Sequence, residues 1–154
     1  TARAIAQCLR IPVVGVPSLD LVAYPLRHTT RLVVAVTDAR RHEVFYACYR
    51  PVPGGVQRIT DYAVGPSEAL VGELTARGEE VLLAGDGALL HGDAFAALDR
   101  VELAGPDAAF PSAAALLELA SARLEREEFE TAADVHPLYL RRSDAEILWD
   151  AKAH

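Results

Sequence analysis

Methionine is absent from this 154-residue sequence, and cysteine occurs twice, at Cys8 and Cys48. With no C-x-x-C spacing, the pair builds neither a disulfide framework nor a zinc site, and buried free thiols are the expected state. The histidines (His28, His42, His91, His136 and His154) are scattered. They contain no H-x-x-x-H or H-E-x-x-H pair, so no two imidazoles share a helical face on which a metal could sit. Basic charge is in deficit, with 15 Lys and Arg against 22 Asp and Glu and a net charge of −7. Nucleic-acid binding rests on basic surface that displaces counterions from phosphates, so direct nucleic-acid binding is not expected of this chain alone. No apolar run approaches the roughly 18–20 residues that cross a bilayer. The first ten residues are too short and too broken by Arg3 and Arg10 to be a signal peptide, so a cytoplasmic, non-membrane protein is expected. Repeats and low-complexity stretches are also missing.

What is present is the composition of a globular chain, 51% hydrophobic and 24% charged, enough for one domain or two small lobes. The chain opens inside a helical pattern: Ala2, Ile5, Ala6 and Leu9 on one face, Arg3, Gln7 and Arg10 on the other. With no Met and no cap but Thr1, it reads as the end of a helix in a longer protein. Pro12–Val16 reads as a short buried strand. Ser18 then caps a helix with Asp20 in its positive first turn, ending before Pro25. Arg31–Thr37 is β-branched and apolar on both faces, as a doubly covered central strand is. Asp38–His42 is a polar turn, and Glu43–Arg50 a second, antiparallel strand. A more polar third strand is expected over Val56–Tyr62.

A helix over Pro66–Arg77 turns Leu70, Val71 and Leu74 inward and pairs Glu73 with Arg77 at i,i+4. Val81–Ala84 is a buried strand, followed by a helix over Ala88–Leu98. Ser112 caps the longest helix, to Glu128, with Leu116, Leu117, Ala120 and Leu124 as its apolar stripe. His136–Arg142 is extended. The order β-β-β-α-β-α-α is that of a ribonuclease-H-like lobe, the building block of actin-like ATPases, and by itself carries no function.

Candidate chemistry is sparse. In Asp38-Ala39-Arg40-Arg41-His42 the two arginines either attract phosphate or pair with carboxylates and line a groove while Asp38 caps the turn. Gly85-Asp86-Gly87 before a helix has the form of an anion cradle. It is too short for a Walker A loop, Asp86 repels phosphate, and a turn that needs glycine torsion angles is the plainer reading. Cys48 is flanked by aromatics as a small packed hydrophobe, and Cys8 has no histidine near it. Ser18, Ser67 and Ser112 each follow a proline at a helix start and are accounted for as caps. Tyr139 and Trp149 read as packing anchors for the tail.

Four stretches in order, Ile11–Leu19, Val36–Tyr46, Ala84–Ala88 and His136–Arg141, resemble the TsaB (YeaZ) family, the second most specifically. The resemblance implies a degenerate actin-like (ASKHA, ribonuclease-H-like) α/β fold. Residues 1–28 would close a first lobe, 29–132 form a β-β-β-α-β-α second lobe, and 133–154 an extended segment and tail. It also implies a non-catalytic scaffold in the machinery that makes N6-threonylcarbamoyladenosine in tRNA, binding and activating a TsaD-like catalytic paralogue, with a TsaE-like ATPase in the assembly. A homodimer is the other pairing to expect. In TsaD-like relatives a His-x-x-x-His metal pair follows the strand matching Pro12–Val16, and here those positions are Ser18 and Val22, which are poor ligands. The Gly-rich turn of such relatives is replaced by Asp38–His42. No catalytic residue, metal or cofactor is therefore assigned. Groove positions are Asp38, Arg40, Arg41, Glu43, Gly85 and Gly87, and partner-contact positions are Arg3, Gln7 and Arg10. The competing reading is a metal- or ATP-dependent enzyme of the actin-like, glycopeptidase-like superfamily.

Overall fold

The computed structural model describes residues 1–141; the expectations for Arg142 and Trp149 lie outside them. The chain order is α1 (Ala2–Leu9), α2 (Ser18–Ala23), β1 (Leu32–Arg40), β2 (Glu43–Val52), β3 (Gly55–Arg58), β4 (Ala63–Pro66), α3 (Ser67–Arg77), β5 (Val81–Ala84), α4 (Asp86–Leu90), α5 (Gly92–Phe95), β6 (Val101–Leu103) and α6 (Ala113–Glu125). Six strands form one sheet in the order β3-β2-β1-β5-β6, with β4 also pairing β2.

The centre of the sheet follows from the apolar run Leu32–Val36. Successive strand residues point to opposite faces, and here both faces are covered. Leu32, Val34 and Val36 pack with Leu70, Leu74, Leu83 and Phe95 beneath α3–α5, while Val33 and Ala35 pack with Leu19, Val22 and Tyr49 beneath α2. β1 pairs antiparallel with β2, from Val33 opposite Tyr49 to Asp38 opposite Val44, and parallel with β5. The Glu73–Arg77 pair forms at 2.9 Å.

Several local expectations are corrected. Pro12–Val16 is not a buried strand. It lies partly exposed, with a single antiparallel bridge from Val13 to Glu130, because no longer ladder runs beside it among the described residues. The expected turn Asp38–His42 shrinks to Arg41-His42, since β1 continues to Arg40 through a bulge. The third strand expected over Val56–Tyr62 ends at Arg58: β3 pairs the far half of β2, while β4, which begins after Tyr62 and was not expected, pairs the near half. Between them the Thr60 hydroxyl accepts the Cys48 N–H at 3.0 Å, which interrupts the ladder.

The helix expected after Gly87 breaks at His91 into α4 and α5, and β6 then adds a short edge strand. Ser112 does cap α6, accepting the Ala115 N–H at 3.1 Å, but Ser18 and Ser67 make no cap bond. The apolar stripe of α6 faces outward: Leu116, Leu117 and Leu124 are exposed, and Ala115 is the buried contact. α1 likewise buries only Ala6, leaving Ile5 52% and Leu9 64% exposed. Cys48 is a buried free thiol as expected, whereas Cys8 is free and exposed. Tyr139, expected as a packing anchor, is 83% exposed. No described helix is long and apolar enough to cross a membrane.

Candidate functional site

The groove residues read from the sequence converge at one end of the sheet. Asp38 accepts the Arg40 N–H at 2.8 Å, so it caps the bend as expected, and its own N–H donates to Asp86 Oδ1 at 3.3 Å. Asp86 Oδ1 also accepts the Gly87 N–H at 2.9 Å. The two carboxylates thus occupy the backbone N–H groups of Asp38, Arg40 and Gly87 at this corner. Gly85 has φ 112°, and a Cβ there would lie 2.0 Å from the Val36 carbonyl oxygen. At Gly87 a Cβ would lie 2.7 Å from the Thr37 carbonyl carbon. These glycines are required because α4 starts directly against β1, and that accounts for both without a ligand.

Arg40, Arg41 and His42 take φ 64°, 56° and 61°, the left-handed region that costs L-residues about 1–2 kcal/mol each. Arg40 is solvent-exposed and pairs with Asp38 at 3.6 Å. Glu43 is held by Arg141, whose guanidinium donates to it at 3.0 Å and to the Ala39 carbonyl at 3.2 Å. The hairpin tip is a charged, strained corner locked to the segment that follows residue 133.

Beside this corner lies a cleft of about 480 Å³ that sequence reasoning did not single out. Its polar lining is Ser18, Thr37, Tyr62, Arg123, Glu130 and His136, set among Phe45, Leu19, Leu138 and Leu140. None of the six groove positions named from the sequence lines it. Three of the four stretches singled out in the sequence nonetheless border it: Ile11–Leu19 through Ser18, Val36–Tyr46 through Thr37 and Phe45, and His136–Arg141 through His136, Leu138 and Leu140. Tyr62 is fixed: its hydroxyl donates to Asp20 Oδ1 at 2.7 Å, and Arg58 stacks over its ring at 4.2 Å. Burial, reinforced by that bond to Asp20, raises its pKa well above the ordinary phenol.

The two positions that correspond to a metal pair do not fit one. Val22 is buried in the core with Val33 and Ala35, and Ser18 offers only a hydroxyl. Among the described residues, no group of three or more His, Cys, Asp and Glu is placed to hold a metal ion.

At the other end, Arg3, Gln7 and Arg10 are all exposed. Arg3 donates to the Ala133 carbonyl at 3.3 Å, and Gln7 and Arg10 border a groove of about 460 Å³ shared with Phe129 and Thr131. The guanidinium of Arg3 draws that side of α1 onto the chain, and Ile5 and Leu9 are left facing outward.

A family model described as TsaD, tRNA N6-adenosine threonylcarbamoyltransferase, matches residues 1–149. Two solved structures from Pseudomonas aeruginosa are similar. An uncharacterized protein with similarity to peptidase YEAZ aligns with a TM-score of 0.71 and 27% identity, over 90% of this chain and 63% of that one. YeaZ itself aligns with a TM-score of 0.67 and 28% identity, over 89% and 64%. An uncharacterized protein of Mycobacterium leprae, ML0378, is 51% identical over 65 residues, which is 42% of this chain and 16% of that protein. The chain therefore spans a small part of that curated relative and just under two thirds of each YeaZ-like structure.

Proposed function

The chain belongs to the TsaD family, and from that premise we propose that it is a non-catalytic member that works by binding a partner. Its place is in the cytoplasmic assembly that makes N6-threonylcarbamoyladenosine in tRNA, as a subunit that binds and activates a TsaD-like catalytic paralogue beside a TsaE-like ATPase. The sheet described above is the second lobe of a degenerate actin-like (ASKHA) fold. α1 belongs to the first.

The observation that carries this reading is the outward apolar face of α1. Ile5 and Leu9 lie one helical turn apart and exposed, bordered by the polar Arg3, Gln7 and Arg10. An apolar centre with a charged rim is the anatomy of a protein interface. The chemistry of Ser18 and Val22 supports the non-catalytic half of the proposal, since neither supplies an imidazole, thiolate or carboxylate.

Calorimetric titration of the full-length protein into its TsaD-like paralogue tests it. A stoichiometric complex, weakened by Ile5→Asp, is expected. Failure to bind the paralogue, or self-association through α1 that excludes it, contradicts the proposal. Stoichiometric ATP and divalent-metal binding in the cleft, with turnover by the isolated protein, returns the enzyme reading.

A further inference from the structure

Residues 135–141 run without helix or strand from the turn at 132–134, beside α1, to the tip of the β1–β2 hairpin. Its upstream end is fastened by backbone. Val13 and Glu130 exchange N–H to carbonyl bonds of 2.9 Å in both directions, and the Asp134 and Val135 N–H groups close a turn on the Thr131 carbonyl at 3.1 and 3.3 Å. Its downstream end is fastened by one side chain, Arg141, through Glu43 and the Ala39 carbonyl. Between the two, residues 136–140 make no backbone–backbone hydrogen bond among the described residues. Yet this stretch forms one wall of the 480 Å³ cleft, with Leu138 and Leu140 lining it on alternate positions and Tyr139 left in solvent.

We propose that residues 136–140 are a strap that opens and closes the cleft, with the Arg141–Glu43 pair as its latch. A segment with few buried contacts and no ladder opens locally at low cost while the sheet beneath stays folded. The hinge lies at the turn after Glu130, beyond which no backbone–backbone bond forms among the described residues up to Leu140. At the other end the latch joins two side chains that are 31% and 33% exposed. A pair this open to solvent is weak and screened by salt, which suits a closure that must release. The tip it grips is itself held in left-handed backbone at Arg40, Arg41 and His42, so Glu43 sits at the end of a stiff two-residue turn rather than on a flexible loop. The latch lies at the opposite end of the strap from α1, which meets the hinge turn through the Arg3 bond to the Ala133 carbonyl, and the strap gives the cleft two states.

The test follows thiol exposure in the full-length protein carrying Cys8→Ser. Leu140→Cys on the strap and, separately, Thr37→Cys on the β1 wall of the cleft are labelled with iodoacetamide, with buried Cys48 as the internal control. Slow labelling is expected with the latch intact. Arg141→Ala or Glu43→Ala should accelerate it about fivefold, as should 0.5 M salt in the latched protein but not in the variants. The reversed pair, Glu43→Arg with Arg141→Glu, should bring the rate back to within about twofold of the parent. Rates unmoved by these changes overturn the proposal. So does acceleration matched at Cys48 or accompanied by a fall in melting temperature, because the pair would then clamp the whole fold.

Discussion

The Tyr49 hydroxyl donates a 2.7 Å hydrogen bond to Asp20 Oδ1, and Tyr62 donates one of the same length to the same oxygen. One carboxylate on the first turn of α2 thus holds both β2 and the link between β3 and β4. Asp20→Ala removes the acceptor for two buried hydroxyls at once, and a loss of about 2–4 kcal/mol in urea unfolding is expected. Tyr49→Phe and Tyr62→Phe each remove one bond and no acceptor, and should cost about 1 kcal/mol. Because they share an oxygen, the two Phe changes are not expected to add.

The same pair sets an alkaline limit. Burial raises the pKa of Tyr49 and Tyr62 far above the ordinary phenol value of 10.0, and Asp20 raises both further. Above pH 10 the unfolded chain sheds these protons while the folded chain keeps them, so their stabilisation is complete below pH 10 and lost as pH rises beyond it. Urea midpoints should be level between pH 8 and about 9.5 and then fall, less steeply in Tyr62→Phe, with the unfolded-state phenol value setting the onset.

Gly85→Ala is expected to cost about 3 kcal/mol or more, since the new methyl would sit against the Val36 carbonyl at a positive φ. Gly78→Ala is the control: φ is 63° but the space around it is open, so a loss near 1 kcal/mol should appear in the same melts.

The sheet was legible wherever composition alone decides the environment. Leu32–Val36 is apolar at every position, and only a strand covered on both faces accommodates that. The Glu73–Arg77 pair and the Ser112 cap were readable for a similar reason, because each depends on neighbours three or four residues away. The stripes of α1 and α6 were legible only as stripes, because periodicity shows that a helix has an apolar face without showing what covers it; Leu9 and Leu117 face outward. The Asp20 hub escaped because Tyr49 and Tyr62 reach it from distant sequence. The cleft escaped because its walls come from Ser18, Thr37, Arg123 and His136, four segments joined only by the fold. Val101–Leu103 is simply too short for its period to register.

At the proposed interface, burying Ile5 or Leu9 against a partner is worth roughly 1.5–3 kcal/mol per side chain, so Ile5→Asp or Leu9→Asp should weaken the paralogue complex at least tenfold. Both positions are exposed in the chain itself, so melting temperature should stay within a few degrees of the parent. Gln7→Glu at the rim should change affinity far less.

The most direct measurement is threonylcarbamoyl transfer to tRNA with the full-length protein alone, the TsaD-like paralogue with its ATPase, and all components together. No transfer by the protein alone is expected, and a gain on mixing that Ile5→Asp abolishes and Ser18→Ala does not. Turnover by the isolated protein, or a gain on mixing lost with Ser18→Ala and kept with Ile5→Asp, would contradict the non-catalytic role.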